Sequence, residues 1–267
     1  MKVALALYSV REYTQSLGFE AVIQKAKALG FEGVEFAGFG DVPADVMKGY
    51  LEKYDMAVTS SHIALPPLLE TLDETIAYNK ALGNNRIVCA WAPMDDAETF
   101  HKTVEGLRKA SEKIRANGMQ LFYHNHWQEL TFKIDGTTGF DRLFQIFTPD
   151  ELRPEADVCW LNRGGVSPVE YTKKYGKITP IWHIKDSAGS SMMSLDKPKD
   201  GVVAVEKSDT FRFTIAGQGE VGIADVVKAA ADTSIEWLIY ENDDPQPEAF
   251  YVVGKSADFL HGVIASL

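Results

Sequence analysis

Short apolar runs along this chain repeatedly end in side chains that bind metals or move protons. MQLFY runs into His124-Asn125-His126, PEADVCW carries Asp157, PIWHIKD carries His183, Lys185 and Asp186, and EWLIYEND carries Glu241. Between such runs lie amphipathic stretches. KAKALGFEGVEF, NKALGNNRIVCAW and RKASEKIRANGMQLFYH each pass from a mixed polar and apolar segment through Gly30, Gly83 or Gly118 into an apolar strand. Glycine just past a helix end takes the left-handed conformation without Cβ strain, so each marks a helix C-terminus. Helix–Gly–strand, repeated, predicts alternating β/α units and a parallel sheet.

Eight strands are predicted, at 2–8, 33–37, 57–62, 86–91, 119–125, 154–159, 180–185 and 236–241. The clearest helices are 98–117 and 224–232. Eight repeats in 267 residues, close to the roughly 250 of a typical barrel, predict an α/β fold: one (β/α)8 TIM barrel over 1–267. No linker-like composition divides the chain. The rhythm breaks once, at 187–213, where two β-like pieces, VVAVEK and TFRFTIAG, sit in a polar segment. So long a loop in a compact domain suggests a lid-like insertion after strand 7.

In a parallel barrel all strand C-termini open on one face, and side chains there converge. Residues i and i+2 of a strand share a face. His124 and His126 therefore point together, as do Ile181, His183 and Lys185, and as do Trp237, Ile239 and Glu241. If those faces line the lumen, His124, Asp157, His183 and Glu241 meet at one point, a donor set suited to a divalent metal. Glu35 and His62, ending strands 2 and 3, are expected on the same rim. Each residue also has a blander role available. Asp157 could cap a helix, Lys185 could pair with Asp186 at the rim, and Trp91, Trp127 and Trp160 could be core or wall. It is the grouping that points to a site.

Composition narrows the partners. A net charge of −11 and a pI of about 5.0, with no clustered Lys and Arg, argue against nucleic acid. No run approaches the length of a membrane span, so no membrane partner is expected. MKVALALYSVRE reads as a first strand and not a signal peptide. The expected location is the cytoplasm, with a removed leader as the alternative. Cys89 and Cys159 sit in apolar runs and are expected to be buried thiols. There is no H-E-x-x-H helix, G-x-S-x-G elbow or Walker loop. The glycines of AGQGEVG match G-x-G-x-x-G, but their context predicts a turn and not a dinucleotide site.

YHNHWQEL, Asp157-x-x-Trp160, His183-Ile184-Lys185-Asp186, GQGEVGI and the late Tyr240-Glu241-Asn242-Asp243 together resemble the xylose isomerase-like TIM-barrel superfamily, in its sugar phosphate isomerase/epimerase branch. The similarity runs from GFEGVEFAGF to KSADFLHGVI. It implies one divalent cation, manganese, cobalt or zinc with magnesium as a further option, held by Glu, Asp, His and Glu on strands 5 to 8. Asp157, His183 and Glu241 match the last three. The first position is His124, a departure that puts the symmetric two-glutamate proton exchange of the family's epimerases in question.

The expectation is a metal-dependent isomerase or epimerase of a small keto or aldo sugar or cyclitol, acting through an enediolate. Glu241 is the base. His126, near its ordinary pKa, or Lys185, its pKa lowered by burial and the nearby cation, returns the proton. Glu35 and His62 orient hydroxyls, and Trp91 and Trp160 offer faces to the sugar ring. Two alternatives stand beside it: a lyase or hydratase using the same enolate, and a non-catalytic sugar-binding barrel. A homo-oligomer is compatible with all three.

Overall fold

Residues 1–189, 210–245 and 248–267 are described by a computed structural model of the chain. Its strands are β1 (Lys2–Ala6), β2 (Gly33–Phe36), β3 (Ala57–Ile63), β4 (Arg86–Cys89), β5 (Gln120–His124), β6 (Arg153–Glu155), β7 (Ile181–Ile184) and β8 (Trp237–Tyr240). They form one sheet in the order β6-β5-β4-β3-β2-β1-β8-β7, every pair parallel. A single parallel bridge between Asp157 and His183 joins the two ends of that order and closes the barrel. The fold is the expected single-domain TIM barrel.

The helix–Gly–strand phrases behave as their chemistry requires. Gly30, Gly83 and Gly118 all have positive φ, at 90°, 77° and 74°. The long helix spans Ala97–Ala116, opened by a reciprocal capping pair between Asp96 and Thr99. The helix before β8 spans Ile223–Ala231. Cys89 and Cys159 are buried free thiols. Among the described residues, no helix is long and apolar enough to cross a membrane.

Strand 6 corrects the sequence reading. It stops at Glu155, not at residue 159, and Asp157 instead caps the helix Val158–Arg163, its side chain accepting the Trp160 N–H at 3.0 Å. The blander role weighed for Asp157 is thus present, alongside its position at the barrel mouth. Of the expected insertion at 187–213, residues 190–209, VVAVEK included, lie outside the described residues. Its flanks pair antiparallel, Asp186–Ala188 with Arg212–Thr214.

The lumen is built in layers. Its lower part is apolar, packed with Ala4, Val88, Phe122, Ile181, Trp237 and Ile239. Trp237 fits there because Gly33 has no side chain; a Cβ on Gly33 would lie 2.9 Å from the indole. One step up each strand the same inward face turns polar, Phe122 giving way to His124, Ile181 to His183 and then Lys185, and Ile239 to Glu241. The inward alternation expected for strands 7 and 8 is observed.

Asp186 faces the other way. The pairing with Lys185, weighed as that lysine's blander role, is not present. The Asp186 carboxylate accepts the backbone N–H groups of Ser187 (2.9 Å), Gly217 (2.9 Å), Gly219 (3.0 Å) and Val221 (3.2 Å). The AGQGEVG segment is therefore a turn wrapped around a buried carboxylate. Gly219 is required by close approach, since a Cβ there would lie 2.2 Å from Asp186 Oδ1. Asp186→Asn would turn an amide N–H2 toward backbone donors and leave at least one of them unpaired. We expect a loss of about 2–3 kcal/mol in unfolding free energy, measured by urea titration. A change below about 0.5 kcal/mol would show that the turn does not depend on this carboxylate.

Candidate metal and sugar site

The strand ends place the polar residues. Register sets His124 beside Glu155 on β5 and β6, His183 beside Ile239 on β7 and β8, and Asp157 beside His183. Side-chain atoms of His124, Asp157, His183 and Glu241 all lie within 4.8 Å of one another, so the four residues named from the sequence meet. A second group, His62, His124, Glu155 and His183, satisfies the same spacing and shares two members with the first.

The two groups differ in what their atoms already do. His62 Nε2 lies 2.5 Å from Glu155 Oε2 and 3.1 Å from Glu35 Oε1. His183 Nε2 lies 2.7 Å from the same Glu35 oxygen, and Ser60 Oγ donates to the other at 2.5 Å. Burial opposes charge on His62, but Glu35 and Glu155 push its pKa up to about 10. Burial likewise opposes charge on Glu35, yet His62 and His183 hold it well below the usual carboxylate range. Glu155 is raised to about 7 by burial and by Glu35. These groups pair closely with one another, although Glu155 Oε1 is buried without a hydrogen bond.

The first group also holds unpaired atoms. His183 Nδ1 and Asp157 Oδ2 are buried without a hydrogen bond. His183 Nδ1 faces Glu241 Oε2 at 3.4 Å, and Asp157 Oδ2 has only the ion-pair contact of Lys185 at 3.1 Å. His124 is held neutral: burial and the charges of His183 and His62 lower its pKa well below 6.5, leaving a lone pair to give. Two imidazoles and two carboxylates within 4.8 Å of one another are a donor set that fits a divalent cation such as zinc or manganese, which would take the place of Lys185 on Asp157 Oδ2 and Glu241 Oε2. The cluster thus suggests a divalent metal.

Lys185 departs from expectation. Its ammonium lies 2.7 Å from Glu241 Oε2, 3.1 Å from Asp157 Oδ2 and 3.0 Å from Asp243 Oδ1. Burial alone would lower its pKa, but Asp157, Asp243 and Glu241 together raise it well above 10.5. A lysine so held is a fixed positive charge and not a ready proton donor. Glu241 is the mirror case. Burial would raise it, but Lys185 and His183 bring it down, so it stays ionised. His126 also departs: burial and the charge of Lys185 lower it to about 3, so it is neutral and no acid near pH 6.5.

Above the cluster opens a cavity of ≈ 870 Å³ whose lining includes Trp91, His126, Trp160, Phe213 and Asp243. Lys185 connects floor and cluster, lying 5.1 Å from the Trp160 ring and 5.7 Å from that of Phe213. Trp91 and Trp160, expected to face a sugar ring, and His126, expected to move a proton, all line the cavity. Glu35 is not. Expected at the rim, it is 2% exposed and enclosed by Ser60, His62 and His183 in the barrel interior. His62 lies with it, its ring stacked on His183 at 4.9 Å.

Three residues were missed by the sequence reading. Glu155 shares its inward face with Asp157 by the same i, i+2 rule applied to the histidines, and Asp243 stands in that relation to Glu241. Burial pushes Asp243 up to about 6. Asn125, pointing away from His124, accepts the Asp157 N–H at 3.0 Å and so ties the end of β5 to the Asp157 backbone. Only the contact between neighbouring strand ends reveals that one.

Residues 23–261 match the sequence profile of the xylose isomerase-like TIM barrel. An inosose dehydratase from Lacticaseibacillus casei is 21% identical over 262 residues, covering 89% of this chain and 86% of the relative. A sugar phosphate isomerase/epimerase structure from Parabacteroides distasonis ATCC 8503 superposes with a TM-score of 0.77 at 21% identity, covering 97% of each chain. The structure of the IolI protein with a bound zinc atom superposes with a TM-score of 0.75 at 14% identity, over 100% of this chain and 99% of that one. At such identities structural likeness speaks for the fold, whereas the profile match over most of the chain speaks for the family. The chain belongs to the xylose isomerase-like TIM-barrel family.

Proposed function

We propose that this protein is a divalent-metal-dependent isomerase or epimerase of a small keto or aldo sugar or cyclitol, acting through an enediolate. The reading is carried by the convergence of His124, Asp157, His183 and Glu241 beside an ammonium that three carboxylates keep protonated. A manganese, cobalt, zinc or magnesium ion in that set would polarise the substrate carbonyl and its neighbouring hydroxyl. Membership of the family supports it.

The chain's own groups supply the proton chemistry. Glu241, ionised, accepts the α-proton. Its ion pair makes it a weak base, so abstraction depends on stabilising the charge that develops on the substrate oxygen. Lys185 gives that stabilisation as a fixed cation in a water-poor site. Asp243, at the cavity floor with a pKa near 6, can return a proton to the enediolate. Neutral His126 offers a hydrogen bond to a hydroxyl. Glu35, His62 and Glu155 hold His183 and do not touch substrate.

A lyase or hydratase is the second reading, favoured by the asymmetry of the site. His124 stands where the family's first glutamate would be, so two matched carboxylates do not face each other across the substrate. Elimination needs one base for the α-proton and one acid for the departing β-hydroxyl, which leaves as water. Glu241 and Asp243 form such a pair. The inosose dehydratase relative is consistent with it. Incubation of metal-loaded protein with ketohexoses, aldoses and inososes in D2O, followed by NMR, separates the readings. Isomerisation or epimerisation puts solvent deuterium on a saturated sugar, whereas elimination yields an unsaturated, ultraviolet-absorbing ketone. Glu241→Gln should abolish exchange, and Lys185→Met should slow turnover about 100-fold or more with sugar binding retained. Absence of exchange and of elimination across the panel would leave a sugar-binding barrel.

The metal is tested separately. Asp157→Asn keeps the helix cap, because Asn and Asp cap about equally well, but removes the charge. His183→Ala removes a ligand outright. Both should cut manganese, cobalt or zinc affinity about 10- to 100-fold or more from a wild-type stoichiometry of about one per chain, by calorimetry or metal analysis. Folded variants that keep full metal content would refute this ligand set.

A further inference from the structure

The cavity above the charged floor is larger than the proposed chemistry needs. At ≈ 870 Å³ it lies toward the top of the roughly 300–1,000 Å³ range that encloses drug-sized ligands, and one pyranose or cyclitol ring would fill only part of it. Much of its wall is aromatic. Trp160 meets Phe213 edge-on at 5.9 Å, Phe213 meets Phe211 at 5.1 Å, and Trp91 lines the same cavity.

Unsatisfied polar atoms lie among these rings. Trp160 Nε1, Gln128 Oε1, His126 Nδ1 and Thr214 Oγ1 all belong to residues lining the cavity, and each is buried with no hydrogen-bond partner among the described residues. Trp160 and Gln128 are only 4% and 5% exposed. Leaving a buried donor or acceptor unpaired is unfavourable, so small side-chain rotations that turn these atoms into the cavity would be offset by pairing with ligand hydroxyls. None of them belongs to the donor set of His124, Asp157, His183 and Glu241. Flat apolar faces edged by hydrogen-bonding groups are the chemistry that recognises a ring.

We propose that the aromatic half of this cavity is a second ring-binding subsite, and that the substrate is a sugar bearing another ring. The reacting sugar would rest on the floor of Asp243 and His126, with Lys185 beneath it, and the second ring against Phe213, Trp160 and Trp91. Gln128 and Thr214 would meet its polar edge. The inference takes the floor from the sugar-enzyme reading above. The shared chemistry is ring stacking, and the second ring can be another sugar or an aromatic aglycone.

Calorimetry on the metal-loaded full chain with D-glucose, cellobiose and phenyl β-D-glucopyranoside tests it. At least one two-ring ligand should bind about tenfold more tightly than glucose. Phe213→Ala should remove most of that gain while changing glucose affinity less than about twofold. Gln128→Leu, which leaves the aromatic wall intact, should weaken cellobiose more than the phenyl glucoside. A gain for cellobiose alone identifies a second sugar, and a gain for the phenyl glucoside identifies the ring face itself. The proposal is overturned if neither two-ring ligand exceeds glucose, or if both variants weaken all three ligands equally or none at all. Deuterium exchange keeps the two readings apart. Exchange into free sugars without a two-ring preference removes the subsite alone, whereas the preference without exchange or elimination keeps the subsite and removes the catalytic reading.

Discussion

The imidazole of His183, fully buried at the centre of the barrel, joins two sets of carboxylates that would otherwise repel one another. Its Nε2 meets Glu35 at 2.7 Å, and its Nδ1 faces Glu241 at 3.4 Å. On the Glu35 side lie Glu155 and His62; on the Glu241 side lie Asp157, Asp243 and Lys185. Removing an ion from water into a protein interior costs several kcal/mol even after relaxation, so such groups persist only when paired. Here the acids outnumber the three cationic side chains, and Glu155 and Asp243 respond by rising to about 7 and about 6. A divalent ion held by Asp157, Glu241 and the two histidines would correct that imbalance where it is greatest. With Nδ1 given to the ion, Nε2–H would donate to Glu35, the carboxylate–histidine–metal arrangement that fixes a ligand's tautomer.

The apolar layer below makes this charged layer tenable. Phe122, Ile181, Trp237 and Ile239 fill the lower lumen, so the polar side chains one step up the strands have a dry floor beneath them. A low-dielectric floor strengthens each ion pair, which is why Lys185 keeps its proton and Glu241 its charge despite burial. The same field explains the division of labour proposed here, a permanent cation beside a permanent anion with Asp243 titrating between them.

Much of this was legible in the sequence, through rules that act along a strand. The left-handed glycines at 30, 83 and 118 marked the β/α repeat, and i, i+2 alternation put His183 with Lys185 and Glu241 above Ile239. What was not legible acts between strands. Lys185 was expected to lose its proton because its three carboxylate neighbours come from the chain ends after β6 and β8, and no local pattern shows them meeting. Glu35 was placed at the rim because a strand end gives direction but not depth, and depth is set by the stagger of β2 against β3, where the register shifts between Val34 and Glu35. Glu155 was within reach of the alternation rule and was passed over because PEADVCW was read as one long strand. Asp157 in fact turns that segment into a helix. The turn around Asp186 was recognised as a turn, but not as one organised by a carboxylate 31 residues from Gly217.

The central claim is that His124, Asp157, His183 and Glu241 together hold one divalent ion. Anomalous X-ray diffraction from crystals of the full chain grown with manganese or zinc tests it most directly. The account predicts a single strong anomalous peak within bonding distance of all four side chains, with Glu35 still on His183 Nε2. A peak seated instead among His62, Glu155 and Glu35, or no peak at saturating metal, would contradict it.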